Sequence, residues 1–156
     1  MITYLKGDAT NPYDLHEGKP MIIPHVCNNV GAWGAGFVIA VSKRWSEPEN
    51  IYRTIANESI LELGSTMFVQ VERNIMVANM IAQNNVISKT GRNNPPIDYD
   101  ALKLTLKTVY DKAKLMQASI HMPKIGSGLA GGNWDKIEKI INLIFVDVRV
   151  YVYIFN

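Results

Sequence analysis

The stretch MIIPHVC, Met21–Cys27, is apolar nearly throughout. A strand with no polar side to turn toward water needs cover on both faces, and helices supply that cover. ITYLKG opens the chain as a short strand ending in glycine. A short buried helix is expected over Ala35–Arg44. A second should start near Glu47, with Ser46 as a candidate cap and Pro48 in its first turn. STMFVQVE and NIMVANMIAQ are β-rich runs on either side of Glu72-Arg73-Asn74, which predicts a hairpin. NNVISKTGRNNPP reads as a polar loop. The clearest helix follows, with Leu102, Leu106, Val109 and Ala113 in one apolar stripe and Asp98 and Asp100 at its positive end. Ser119–Pro123 is another strand, Asn133 can cap a helix from Trp134 to about Phe145, and VRVYVYIF alternates as a closing strand. The pattern predicts an α/β fold, a three-layer α/β/α sandwich on a mixed, mostly parallel sheet of about six strands.

The 156 residues suit one domain spanning 1–156. A net charge of +2 and scattered basic residues give no footprint for nucleic acid, so no such partner is expected. No apolar run approaches the ~18 residues of a membrane span. Met1–Lys6 is too short for a signal peptide, so none is expected. The lone cysteine, Cys27, cannot form an internal disulfide; it reads as buried and inert, and a reducing, cytoplasmic location is expected. No His/Cys cluster has metal-ligand spacing, so neither a metal nor a cofactor is expected. The chain is expected to act as a monomer.

Two segments share one grammar. Strand Met21–Cys27 leads to GAWGAG and a helix; strand Ser119–Pro123 leads to GSGLAGG and a helix. A glycine-rich turn between a strand end and a helix start exposes backbone N–H groups, and the helix N-terminus adds partial positive charge. Glycine suits the turn because a Cβ would hold phosphate oxygens away from the backbone. Ligands of open α/β sheets bind beyond the carboxyl ends of strands, so two such loops side by side can hold a diphosphate. The plainer alternative is that each loop only turns a corner. Gly126, Gly128 and Gly131 match G-x-G-x-x-G, but a dinucleotide fold places that motif after its first strand, and here most of the chain precedes it. Neither loop continues into Lys-Ser or Lys-Thr, which excludes a P-loop.

KGDAT (Lys6–Thr10), CNNVGAWGAGF (Cys27–Phe37) and MPKIGSGLAGGNW (Met122–Trp134) together resemble the signature segments of macro domains, the ADP-ribose-binding family. The resemblance runs along the whole chain in order. It is similar to the branch holding terminal ADP-ribose protein glycohydrolases and small ADP-ribose 1″-phosphate phosphatases. A macro-domain-like sandwich is implied, with ADP-ribose or ADP-ribose 1″-phosphate as ligand and ADP-ribosylated protein as a further candidate partner. The implied activity is phosphatase or ADP-ribosyl-protein hydrolase; the alternative is a non-catalytic ADP-ribose reader.

The resemblance also implies residue roles. Asp8 would accept from the adenine amine, with Ala9 offering its N–H; from the residues alone, Asp8 equally caps the turn before Pro12. Asn28 or Asn29 would contact the distal ribose, although a strand-end asparagine is often a turn former. Gly34, Ala35, Gly36 and Phe37 would face ribose and phosphate, and Trp33 would wall the ribose. Ile125, Gly126, Ser127, Gly128, Leu129 and Ala130 would hold the phosphates, chiefly through the N–H groups of Ser127 to Ala130, with the Ser127 hydroxyl added. Phe155 or Ile154 would flank the adenine, or serve only in strand packing.

Departures bear on the chemistry. The glycohydrolase branch uses an aspartate in the second loop and a lysine near the end of the middle strand; here those positions are Ala130 and about Gln83. Deacylation by that route is not expected. His25, just before the first glycine loop, is a candidate base or an aid to phosphate-monoester cleavage, or else a histidine satisfied within the sheet. Asn28 is the second catalytic candidate. Asp135 reads as a first-turn helix acid. Lys89 and Arg92 either reach a distal phosphate or are solvated.

Overall fold

The computed structural model describes residues 1–155. Six strands, β1 (Ile2–Lys6), β2 (Met21–Asn28), β3 (Thr66–Glu72), β4 (Ile75–Gln83), β5 (Ser119–Met122) and β6 (Val150–Ile154), form one sheet in the order β1-β6-β5-β2-β4-β3. Every neighbouring pair is parallel except the β3–β4 hairpin. The helices are α1 (Phe37–Arg44), α2 (Glu47–Glu58), α3 (Ile87–Thr90), α4 (Tyr99–Met116) and α5 (Trp134–Ile144).

Alternation along the buried strands divides the core into two layers. On β2, Ile22 joins the cluster under α4 and α5, while Met21, Ile23 and Cys27 join the one under α1 and α2. On β4, Met76, Ala78, Met80 and Ala82 take the first side, and Ile75, Val77 and Ile81 the second. This confirms the double cover expected from MIIPHVC. The α4 stripe Leu102, Leu106, Val109 and Ala113 is buried, and Asp98 caps the helix by accepting from the Ala101 N–H at 2.9 Å. Asn133 caps α5 in the same way, accepting from the Lys136 N–H at 3.2 Å.

Three local expectations need correction. Ser46 precedes α2, but its side chain bonds no N–H of the helix. The first helix begins at Phe37 rather than Ala35, because Gly36 takes a φ of +84°, outside the helical range. The loop after β4 contains a single helical turn, α3, formed as the Lys89 and Thr90 N–H groups donate to the Val86 carbonyl at 2.9 and 3.1 Å. So short a turn leaves no apolar period in a polar sequence.

The last residues of the five parallel strands are Lys6, Asn28, Gln83, Met122 and Ile154. They end at one edge of the sheet. Both glycine loops and the KGDAT segment therefore start from that edge, as binding beyond strand ends requires.

Candidate functional site

Between the two glycine loops lies a cleft of about 650 Å³. Its floor is the end of β2, from His25 to Asn28, together with Gln83 of β4. One wall is Ala32 and Gly34 to Val38; the other runs from Pro123 to Ala130; Val86, Ile87 and Ser88 close the end beside β4. The loops touch across the cleft: a Cβ on Gly36 would lie 3.2 Å from Cδ1 of Leu129.

Glycines in these loops serve two purposes. At Gly131 a Cβ would come within 2.7 Å of Cβ of Pro95, and at Gly132 within 2.5 Å of the Gly126 carbonyl oxygen. Those glycines are bare because the loop packs tightly on itself and on the segment before α4. Gly34 and Gly128 are different. A Cβ at either would meet nothing within 4 Å, and both line the cleft. Packing does not explain them; access to their backbone does.

The second loop folds so that its own acceptors serve only its ends. The N–H groups of Ile125, Gly131 and Gly132 donate to Pro123, Gly128 and Gly126 carbonyls at 2.7, 3.0 and 2.7 Å. Among the described residues, the five N–H groups of Gly126 to Ala130 find no such acceptor. Those of Trp33 to Phe37 in the first loop are likewise without a partner. The N-terminus of α1 points at the same space, with no acidic residue in its first turn. Of the residues lining the cleft, Lys124 alone is formally charged and none is a carboxylate. Such a cradle attracts an anion through backbone dipoles.

Several candidate side chains help to build the cradle. The Asn28 Oδ1 accepts from the Val30 and Ala32 N–H groups and from the Tyr52 hydroxyl, and its Nδ2 donates one of its two hydrogens to the Ala32 carbonyl at 2.7 Å. Asn28 shapes the first loop, and its second Nδ2 hydrogen has no partner among the described residues. Asn29 ties that loop to the next, donating to Asn84 Oδ1 and accepting from the Asn85 N–H at 2.8 Å. Trp33 does not wall the cleft. It is buried against Tyr52 and His25, with its indole N–H donating to Ser42 Oγ at 2.7 Å. The partners that bury it come from β2, α1 and α2. Ser127 commits its hydroxyl hydrogen to the Lys124 carbonyl at 2.7 Å.

His25 is 1% exposed beneath the cleft floor. It stands opposite Asn79 in the β2–β4 register, and its Nε2 meets Asn79 Oδ1 at 2.6 Å. The Asn79 amide nitrogen donates to the Pro48 carbonyl, so Oδ1 faces the imidazole and Nε2 carries the proton. Burial holds its pKa down to about 4, despite the Asn79 bond. A neutral imidazole satisfied within the sheet replaces the catalytic base considered above. His121, buried between Ser119 and Tyr153, is pushed down to about 4 by the same cause.

Both histidines take up protons more readily when unfolded. Stability is therefore complete above the ordinary histidine value of 6.5 and lost as pH falls toward 4. Each should remove about 1.4 kcal/mol per pH unit across that window. Urea unfolding at pH 7, 5.5 and 4.5 should show the midpoint falling steeply, and a His25→Gln variant should show a shallower fall.

At the other end of the edge, Asp8 Oδ1 accepts from the Thr10 N–H at 2.8 Å and its hydroxyl at 2.7 Å. This is the turn reading of Asp8, yet its second oxygen and the Ala9 N–H have no partner among the described residues. Gly7 donates to the Ile154 carbonyl at 3.0 Å, and the next residue, Phe155, is exposed. Neither Asp8 nor Phe155 lines the cleft itself. Asp135 is exposed in the first turn of α5; Lys89 and Arg92 are exposed and lie outside the cleft lining. Sequence reasoning gave no ligand role to Gln83, Ile87 or Lys124, all of which line it. A strand-end glutamine carries no local signal; only the convergence of β2 and β4 reveals it.

A mostly parallel sheet covered on both faces, with two amide-lined loops at its carboxyl edge, defines an α/β sandwich with an anion-accepting cleft. No family profile matches the chain. A solved macrodomain protein from Streptomyces coelicolor is 40% identical, with a TM-score of 0.83 over 99% of each chain. This chain belongs to the macrodomain family. A structure of unknown function from Bacteroides thetaiotaomicron is 44% identical, with a TM-score of 0.89 over 98% of this chain and 97% of that one. The chain is 25% identical to an ADP-ribose 1″-phosphate phosphatase of Candida albicans, over 90% of this chain and 92% of that protein. It also matches chromodomain-helicase-DNA-binding protein 1-like of Danio rerio at 31% identity over 90% of its length. It spans only 14% of that protein and 18% of the Mus musculus counterpart.

Proposed function

We propose that this macrodomain binds ADP-ribose or a close derivative and processes it by hydrolysis, as an ADP-ribose 1″-phosphate phosphatase or an ADP-ribosyl-protein hydrolase. The observation that carries the reading is the pair of loops, Trp33–Phe37 and Gly126–Ala130, whose partnerless N–H groups meet over one cleft. The diphosphate lies between them. The adenine lies toward Asp8 and the Ala9 N–H, and the terminal ribose toward Gln83 and Ile87. The name of the full-length Candida relative supports a phosphatase. With ADP-ribose 1″-phosphate, water would take up the phosphoryl group and leave ADP-ribose. The protein's share is positioning and backbone electrostatics.

A reader without turnover is the second reading. It is favoured by the absence of any carboxylate among the residues lining the cleft and by the neutral, buried His25. Calorimetric titration with ADP-ribose, followed by phosphate detection after incubation with ADP-ribose 1″-phosphate, separates the two. Binding with phosphate release supports the enzyme, binding alone the reader, and no binding contradicts both.

Asp8→Asn tests the adenine end. The substitution keeps an oxygen for Thr10 and removes the second acceptor. ADP-ribose affinity should fall about tenfold, while affinity for ribose 5-phosphate and the melting temperature stay unchanged. An equal loss for both ligands would place Asp8 outside the adenine contact.

A further inference from the structure

Gln83 is the last residue of β4, 7% exposed, and part of the cleft floor. Its backbone is fixed twice: its carbonyl accepts from the Asn29 N–H at 3.0 Å, and it bridges to Ile97. Its side-chain amide is fixed once. Nε2 donates to the Asn85 carbonyl at 2.9 Å, which settles which end of the amide is nitrogen. Oε1 takes no partner among the described residues. Asn28, the neighbouring amide on the floor, has its Oδ1 already occupied by donors. The cradle walls offer N–H groups, which suit phosphate oxygens. Gln83 Oε1 is the opposite kind of group, an acceptor on the cleft floor whose orientation is set by the Nε2 bond. A phosphate oxygen brought there would meet an oxygen with no hydrogen between them. A hydroxyl would donate to it.

We propose that Gln83 is a specificity-determining residue that reads a hydroxyl of the terminal sugar through its Oε1. This inference rests on the ADP-ribose reading and adds to it what sets the ligand apart from a plain nucleoside diphosphate. A ligand that covers that oxygen without donating to it strips the oxygen of water at a cost in free energy, so ligands lacking the hydroxyl should bind more weakly.

The test is a cycle between protein and ligand. Wild type and Gln83→Met are titrated calorimetrically with ADP-ribose, with ADP, and with ADP-ribose analogues lacking the 2″- or the 3″-hydroxyl. Gln83→Met should bind ADP-ribose roughly five- to tenfold more weakly and ADP as well as wild type does. One deoxy analogue should lose the same factor on wild type and nothing further on Gln83→Met. An equal loss for ADP and ADP-ribose would overturn the proposal and make Gln83 a scaffold residue. So would full affinity of wild type for both deoxy analogues, a result that needs no folded variant. Failure of wild type to bind ADP-ribose at all would overturn the underlying reading and this inference with it.

Discussion

Gly128→Ala is expected to fold like the parent chain and to bind ADP-ribose about 10- to 100-fold more weakly. A Cβ at this position meets nothing within 4 Å, so no packing is lost and none is strained. The space it would enter is the cleft, in the middle of five N–H groups that have no acceptor of their own. A methyl group there holds a phosphate oxygen off the backbone. The loss corresponds to about one hydrogen bond to a charged group, ~1.5–3 kcal/mol. Titration with ADP-ribose and a melting curve measure both halves. Unchanged affinity in a stable variant would mean that no phosphate approaches this loop.

Gly132→Ala, four residues on, should do the reverse damage. Its Cβ would lie 2.5 Å from the Gly126 carbonyl oxygen, 2.9 Å from Cδ1 of Ile97 and 3.0 Å from Cδ1 of Ile137. The nearest obstacle is backbone and cannot rotate away. The same carbonyl accepts the Gly132 N–H at 2.7 Å, so relieving the clash breaks the bond that closes the loop. Overpacking of this kind should cost about 3 kcal/mol and lower the melting temperature by roughly 6–12 °C. A variant that melts within a degree of the parent would contradict the tight loop. Together the two variants separate the roles that one glycine-rich string hides.

That string shows how far the sequence could be read. The strands were legible because continuous apolar runs admit few environments, and Asp98 and Asn133 were legible because caps are local. The two loops announced themselves by composition. Division of labour within them did not, since Gly128 and Gly132 differ only in what lies beside them. Trp33 was expected to wall the ribose, yet Tyr52, His25 and Ser42 bury it from other elements. Asn28 looked like a ligand contact, and every bond it makes is to the loop or to Tyr52. Gln83 stood out only as lying at about the glycohydrolase branch's lysine position, which says nothing of its own role. Its meaning comes from the β2–β4 register and from a single carbonyl, that of Asn85, which orients its amide.

The central claim is that two separate loops make one diphosphate site. The most direct measurement follows backbone amide resonances of the isotopically labelled protein during titration with ADP-ribose. Amides of Trp33–Phe37 and Gly126–Ala130 should shift together, saturate at the same ligand concentration and move downfield as hydrogen bonds form. Shifts confined to one loop, or saturation of the two at different concentrations, would contradict a shared site.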